Sequence, residues 1–297
     1  MFACVKAPGS CGELVQGTLG GKNFLVTCPI NLYSIATVKI SSGPSFICAG
    51  DKVKEAIKKA MNYLDIEPTF NLTVQSDLPQ GKGMASSSAD ISAACQALAL
   101  SAGKSLTPDE IANIAISIEP TDGIFFPGIV MIDHIAGKDR LLLGSPPPIT
   151  IAVFDVGGEV DTLYFNQRID LKRLNDEKES KVQQALHFVK QGILAGDAEL
   201  IGRGATLSAI ANQAILYKPC LETVINLAKQ HGAIGVNAAH SGTVLGILFR
   251  SDQLDDYDDC IQAVQNSCPE ISFIKTVQLI SGGLRIVGES DEQPQFF

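Results

Sequence analysis

Tryptophan is absent from this 297-residue chain, and histidine occurs only four times, as His134, His187, His231 and His240. None of them stands at zinc-ligand spacing from a cysteine, so a His-built metal centre has little to work with. The eight cysteines (Cys4, Cys11, Cys28, Cys48, Cys95, Cys220, Cys260 and Cys268) include no C-x-x-C pair. Scattered in this way, they read as reduced and mostly buried thiols. Runs of Lys or Arg are missing too, and the formal charge is −9 with a pI near 4.9. A nucleic-acid partner is thereby excluded, because nothing offers phosphate neutralisation along a surface. An anionic ligand would have to be held by local groups. No apolar run approaches the roughly 20 residues needed to span a bilayer, and MFACVKAPGS lacks the apolar core of a signal peptide. The expectation is a cytoplasmic protein with no membrane partner.

What is present suits an ordinary globular protein, with 45% hydrophobic and 19% charged residues. Only the last residues, SDEQPQFF, are expected to be disordered. The run from Phe24 to Ile40 is rich in β-branched and aromatic residues and reads as a strand ended by Ser41-Ser42-Gly43-Pro44. Val53, Ile57, Ala60 or Met61, and Leu64 stand at helical spacing in the segment 51–64. A strand is expected at 70–74. From Ser86 a small-residue helix runs to Ala102 and stops at Gly103, and Thr107-Pro108-Asp109-Glu110 opens another with a capping box. Composition changes around Gly144-Ser145-Pro146-Pro147-Pro148, which places a domain boundary between 148 and 149. In the second half, Val182, Leu186, Val189 and Ile193 mark one helix and Pro219 to Ala228 another, with strands at 150–157, 243–249 and 273–280. Helices and strands interleave too irregularly for a doubly wound parallel sheet, so the class is α+β.

One stretch carries chemistry. Residues 79 to 90, PQGKGMASSSAD, set two glycines, a lysine and three serines where a helix is about to begin. A helix starting at Ser86 leaves its first N–H groups unpaired and carries partial positive charge there, which suits phosphate. Gly81 and Gly83 would let a pyrophosphate approach the backbone, Lys82 would add mobile charge, and Ser86, Ser87 and Ser88 could cap the helix, donate to phosphate or hold Mg²⁺. A plain serine cap behind a flexible loop explains the same residues equally well on spacing alone. Better-known phosphate loops do not fit. Gly103-Lys104-Ser105 has Leu98 where a Walker A glycine belongs, and the dinucleotide fingerprint stops at Gly83 because Ser86 replaces its third glycine. There is no H-R-D, D-F-G or G-x-S-x-G.

Glu119 and Asp122, three apart in a turn after a helix, form a second constellation. Phosphoryl transfer needs one carboxylate to hold Mg²⁺ and another to orient or deprotonate the attacking hydroxyl. A solvated acidic turn is the commoner fate of such a pair in isolation. Ala7-Pro8-Gly9-Ser10-Cys11-Gly12-Glu13 and Ala238-Ala239-His240-Ser241-Gly242-Thr243 repeat the pattern of glycine and small hydroxyls and read as tight turns.

Taken in order, these stretches resemble the GHMP kinase superfamily of small-molecule kinases. Pro79, Gly83, Met84, Ser86, Ser87 and Ser88 match its central P-x-x-x-G-[L/M]-x-S-S-[A/S] motif, Ala7-Pro8-Gly9 with Gly12-Glu13 resembles its first motif, and Asn237 to Gly246 is a weaker copy of its third. Within it, APGSCGELVQG, PINLYS, LPQGKGMASSSAD and EPTDGIFFPGIVMIDH are similar to the L-threonine kinase branch, which makes O-phospho-L-threonine for cobalamin. The resemblance implies a two-domain GHMP kinase fold: an N-terminal domain like domain 2 of ribosomal protein S5 over 1–148, an α+β C-terminal domain over 149–297, and a site between them. It implies ATP and Mg²⁺ as cofactors and an amino acid as small-molecule partner. Pro79, Gln80, Gly81, Lys82, Gly83, Met84, Ala85, Ser86, Ser87 and Ser88 would bind ATP, Ser87 and Glu119 the metal, and Asp122 the acceptor hydroxyl; Ser10, Cys11, Glu13 and Gln16 of the first motif, the FFPG stretch after Asp122, and Gly242 are the candidates for reading the acceptor's ammonium and carboxylate. Where mevalonate-type members place a lysine after Ala-Pro-Gly, this chain has Ser10, so a lysine-lowered Asp122 is not carried over. With an ordinary aspartate pKa near 4, Asp122 would mostly position the hydroxyl. Homoserine kinase, another GHMP kinase, and a catalytically silent ligand sensor of the same fold are the alternatives.

Overall fold

The computed structural model describes residues 1–158, 160, 167–252 and 256–288. The expected disordered tail, SDEQPQFF, lies outside the described residues, as do 159, 161–166 and 253–255.

The chain opens with a long antiparallel hairpin of β1 (Phe2–Leu19) and β2 (Lys22–Ile40). Its two-residue turn, Gly20-Gly21, has φ of +57° and +78°, the positive pair that a tight hairpin matched to strand twist requires. The stretch Ala7 to Glu13 is therefore not a turn, as its composition suggested, but part of β1. Register shifts at Pro8/Gly9, Ser10/Glu13 and Glu13/Val15 bend the strand there, and bulges of this kind account for glycine inside a ladder.

β2 continues the sheet through β4 (Phe70–Ser76) to the parallel edge strand β3 (Phe46–Cys48). A hairpin of β5 (Ile129–Ile132) and β6 (Arg140–Gly144) adds to the far end of β2. On the other side lie β8 (Gly235–Ala238), β9 (Val244–Arg250), β7 (Ile149–Asp155) and β10 (Ser272–Gln278), joined antiparallel, while β11 (Arg285–Ile286) pairs with β1. The halves on either side of residue 148 meet in one curled sheet, bridged between β1 and β8 by the single register pair Glu13 with Ala238.

α1 (Asp51–Leu64) buries Val53, Ile57, Ala60 and Leu64, the spacing read from the sequence. α2 (Ser86–Ser101) is buried nearly all round, as its Ala-rich composition permits, and packs on β1 and β2. α3 (Pro108–Ile116) has the expected capping box between Thr107 and Glu110. α4 (Leu171–Ala195) is twice the length signalled by its apolar positions, because Leu174 and Lys178 extend the buried face by two further turns. It packs on α5 (Ala198–Ala211), which Asp197 caps, and both lie against β1. α6 (Leu221–Gln230) and α7 (Asp256–Ser267) cover a second core built on Phe154, Ile247 and Phe249. The cysteines are free, and six of the eight are buried.

Candidate active site

α2 begins at Ser86 without a serine cap. Its N-cap is Ala85, held at φ +56°, and no side chain bonds the first turn. The first intrahelical bond runs from the Ala89 N–H to the Ala85 carbonyl, which leaves the amides of Ser86, Ser87 and Ser88 at an open, positively polarised helix end. A non-glycine residue in the left-handed region is costly and tends to mark a functional turn.

The loop before it is held from behind. The Ser10 and Gly12 N–H groups donate to the Met84 and Gly83 carbonyls at 3.0 Å each, and the Thr243 and Val244 N–H groups donate to the Lys82 carbonyl at 2.8 and 3.0 Å. Gly83, at φ +83°, lies so close to Ala239 that a Cβ would come within 2.5 Å of the alanine's own. Packing against the Ala239 side chain and the Gly242 backbone thus requires glycine here, whatever approaches from the cavity that Gly83 also lines. Gly242 stands on the other side of that contact. Lys82 is not mobile: its Nζ bonds Asp155 Oδ2 at 2.9 Å and the Gly158 carbonyl at 2.6 Å.

In front of the helix end lies a cavity of about 560 Å³, lined by Glu13, Gln16, Lys52, Gln80, Gly81, Gly83, Met84, Ala85, Ser86, Ser87, Ser88, Glu119, Thr121, Asp122, His134 and Ser241 among others. Most of the expected residues therefore converge. Pro79, Lys82, Ser10 and Gly242 do not line it. Ser10 is buried, with its hydroxyl donated among the Gly12 and Cys28 carbonyls, so it is spent on shaping β1.

Glu119 is buried and holds Ser87 Oγ on one carboxylate oxygen and Lys52 Nζ, at 2.5 Å, on the other. Beyond it, Ser88 Oγ accepts the Asp122 backbone N–H at 3.2 Å and the Thr121 hydroxyl at 3.1 Å, and donates to Asp122 Oδ2 at 3.4 Å. Burial, reinforced by the negative charges of Glu13 and Glu119, pushes the Asp122 carboxyl up to about 7 despite the Ser88 bond. The expectation of an ordinary aspartate is overturned. A carboxylate whose affinity for a proton matches neutral pH is a far better base.

Glu13 is raised to about 7 by burial, opposed by the His240 N–H bond and by the charges of Lys218 and Lys178. His240 N and Nδ1 reach Glu13 Oε2 at 2.8 and 3.0 Å, and its Nε2 meets Ser208 Oγ at 2.9 Å. Nδ1 also faces the Ala238 carbonyl, so it carries the proton, and burial keeps the ring neutral. Glu13 is fixed in the floor of the cavity by this network.

The family model described as the GHMP kinases N terminal domain matches residues 51–126, and that of the GHMP kinases C terminal matches 189–269. An L-threonine kinase from Salmonella typhimurium is 32% identical over 251 residues, 83% of each chain. The chain belongs to the GHMP kinase family. A second L-threonine kinase, from Citrobacter freundii, is 31% identical over 261 residues, covering 86% of this chain and 90% of that one. In fold, the GHMP architecture is shared with homoserine kinase from Cytophaga hutchinsonii (TM-score 0.70, 18% identity, 96% and 97% of the two chains) and mevalonate kinase from Methanococcus jannaschii (TM-score 0.72, 14% identity, 94% and 99%).

In this GHMP kinase, sequence reasoning named Glu13 but missed its partner His240, and missed Lys52 and Gln16's neighbour His134 as site components. Lys52 sits on the solvent face of a surface helix and carries no local signal. Lys178 did carry one: it occupies an apolar position of α4, four residues from both Leu174 and Val182.

Proposed function

We propose that this GHMP kinase transfers the γ-phosphate of ATP to the hydroxyl of L-threonine, giving O-phospho-L-threonine and ADP, the product the cobalamin branch uses for its aminopropanol linker. The observation that carries the reading is that the open amino end of α2 and Asp122 face one cavity. The likeness to two L-threonine kinases over most of the chain supplies the acceptor.

Mg²⁺ fits the donors present. Ser87 Oγ and Glu119 offer hard oxygens side by side, and among the described residues no cluster of three His, Cys, Asp or Glu could hold a metal alone. That suits an ion which takes one or two protein oxygens and completes its shell from phosphates and water. When bound, it would neutralise charge on the transferring phosphoryl group. Ser87 and Glu119 would hold it, and Lys52 would then be released from Glu119 toward the phosphates.

The α2 amides, with Gln80 to Ser87, bind the triphosphate tail. Asp122, steadied by Ser88, orients the threonine hydroxyl in line with the γ-phosphorus and takes its proton as the new O–P bond forms and ADP departs. No helix among the described residues is long and apolar enough to cross a membrane, and the reading places the enzyme in the cytoplasm.

The test is ADP release with L-threonine, L-serine, L-homoserine, mevalonate and galactose. L-threonine should give the highest kcat/KM. A preference for L-homoserine would assign the alternative acceptor, and Mg·ATP binding with turnover on none of them would indicate a silent sensor.

A further inference from the structure

A second cavity, of about 460 Å³, lies beside the first, and Gln16, Pro120 and His134 form a wall common to both. Asp122 lines only the first, whereas Lys178, Arg168 and Asn212 line only the second. Lys178 is 6% exposed, on the face of α4 that otherwise buries Leu174, Val182 and Val189. Its ammonium has three N–H groups, of which one is committed to Asn212 Oδ1 at 2.9 Å. Among the described residues no carboxylate pairs with it, although the more distant Glu13 favours its charged form. The other cations of this cavity are engaged: Lys172 with Asp176, and Arg168 with Asp170 and the Ile215 carbonyl. A buried cation left short of an anion is expensive, and an apolar residue in its place would pack the helix better.

The common wall holds further unfinished groups. Gln16 Nε2 lies 3.4 Å from His134 Nε2, and Gln16 Oε1 and His134 Nδ1 are both buried with no hydrogen-bond partner. An acceptor without a donor and a cation without an anion together describe the complement of an amino acid's backbone. We propose that the second cavity is the subsite for the acceptor's α-carboxylate and α-ammonium, with Lys178 taking the carboxylate and Gln16 Oε1 the ammonium. This rests on the L-threonine kinase reading and deepens it. The assignment requires the acceptor to set its hydroxyl at Asp122 and its carboxylate at Lys178, on either side of the wall formed by Gln16 and His134.

The experiment compares L-threonine with L-threoninol, which keeps the hydroxyl and amine but lacks the carboxylate, at saturating Mg·ATP, in the wild type and in Lys178→Met. The wild type should prefer L-threonine. Lys178→Met should raise the KM for L-threonine about 100-fold, the range expected for loss of a charged hydrogen bond, and abolish the preference. The KM for ATP and the thermal shift with a non-hydrolysable Mg·ATP analogue should stay as in the wild type, and Lys178→Arg should recover part of the preference. If Lys178→Met does not fold, Lys178→Gln carries the same comparison. A folded variant that keeps the wild-type KM for L-threonine and the wild-type preference overturns the subsite alone. Wild-type turnover on no hydroxy amino acid overturns the kinase reading and the subsite with it.

Discussion

Ser88 grips Asp122 at two points, accepting its backbone N–H at 3.2 Å and donating to its carboxylate at 3.4 Å, while the Thr121 hydroxyl donates to the same serine oxygen. One O–H and two lone pairs are thus all in use. Ser88→Ala should leave the Asp122 amide and the Thr121 hydroxyl unsatisfied and destabilise the fold by about 1–3 kcal/mol. Since the Ser88 bond is what opposes the raised carboxyl, the acid limb of kcat/KM should move to higher pH. The KM for ATP should hardly change. A pH profile of the folded variant checks this, because a merely structural serine would leave the limb where it was.

Asp122 itself makes a prediction about stability. Its carboxyl is raised from the ordinary 3.8 to about 7, so between those pH values the folded protein keeps a proton that the unfolded chain has released. The contribution to stability is present below about pH 4 and lost as pH rises through about 7. Asp122→Asn cannot lose it. The variant should therefore melt with the wild type near pH 4 and several degrees above it at pH 8, in melts recorded without nucleotide. Its kcat should meanwhile fall by about 10²- to 10⁴-fold. Identical melting at both pH values would mean that the carboxyl titrates normally.

Much of this was legible beforehand, and the residues that were not share a cause. The helix starting at Ser86, the capping box at Thr107 and the carboxylate pair Glu119 and Asp122 are local patterns, and they sit where spacing put them. A second reason for Gly83 was not visible locally, since the Ala239 side chain and the Gly242 backbone that it must admit lie more than a hundred residues away. Lys82 was taken for a mobile charge because Asp155, its partner, comes from the other half of the chain. The Asp122 pKa was misjudged for the same reason: Glu13 and the surrounding burial are tertiary facts. Ser10 looked like a binding hydroxyl, yet carbonyls of Gly12 in β1 and Cys28 in β2 consume it. Short-range signals locate the chemistry, and long-range packing decides which groups are free to perform it.

Glu119 separates two effects that one substitution can read. Glu119→Gln removes a charged oxygen from the Ser87 pair, so the Mg²⁺ concentration giving half the maximal rate should rise by about tenfold or more. It also removes a negative charge that raises Asp122, so the acid limb of kcat/KM should move to lower pH. Loss of Mg²⁺ sensitivity and movement of the limb should appear together. An unchanged Mg²⁺ requirement would take Glu119 out of the metal site even if the limb moved.

The contact between Gly83 and Gly242 offers a test that touches no reacting group. A Cβ at Gly242 would sit 2.6 Å from both the Gly83 nitrogen and the Lys82 carbonyl oxygen, and neither is the end of a flexible side chain that could swing away. Gly242→Ala must then push the 239–244 loop off the phosphate loop, stretching the bonds from Thr243 and Val244 to Lys82. Overpacking of this kind costs about 1–3 kcal/mol. If the amides of Ser86 to Ser88 bind the triphosphate, and their alignment depends on that brace, the KM for ATP should rise while the KM for L-threonine stays within about twofold, since Asp122 and Lys178 are held by other elements. The two KM values, measured on a variant that still melts cooperatively, decide the matter. A rise in the L-threonine KM alone would place the triphosphate elsewhere and remove the open end of α2 from the reaction.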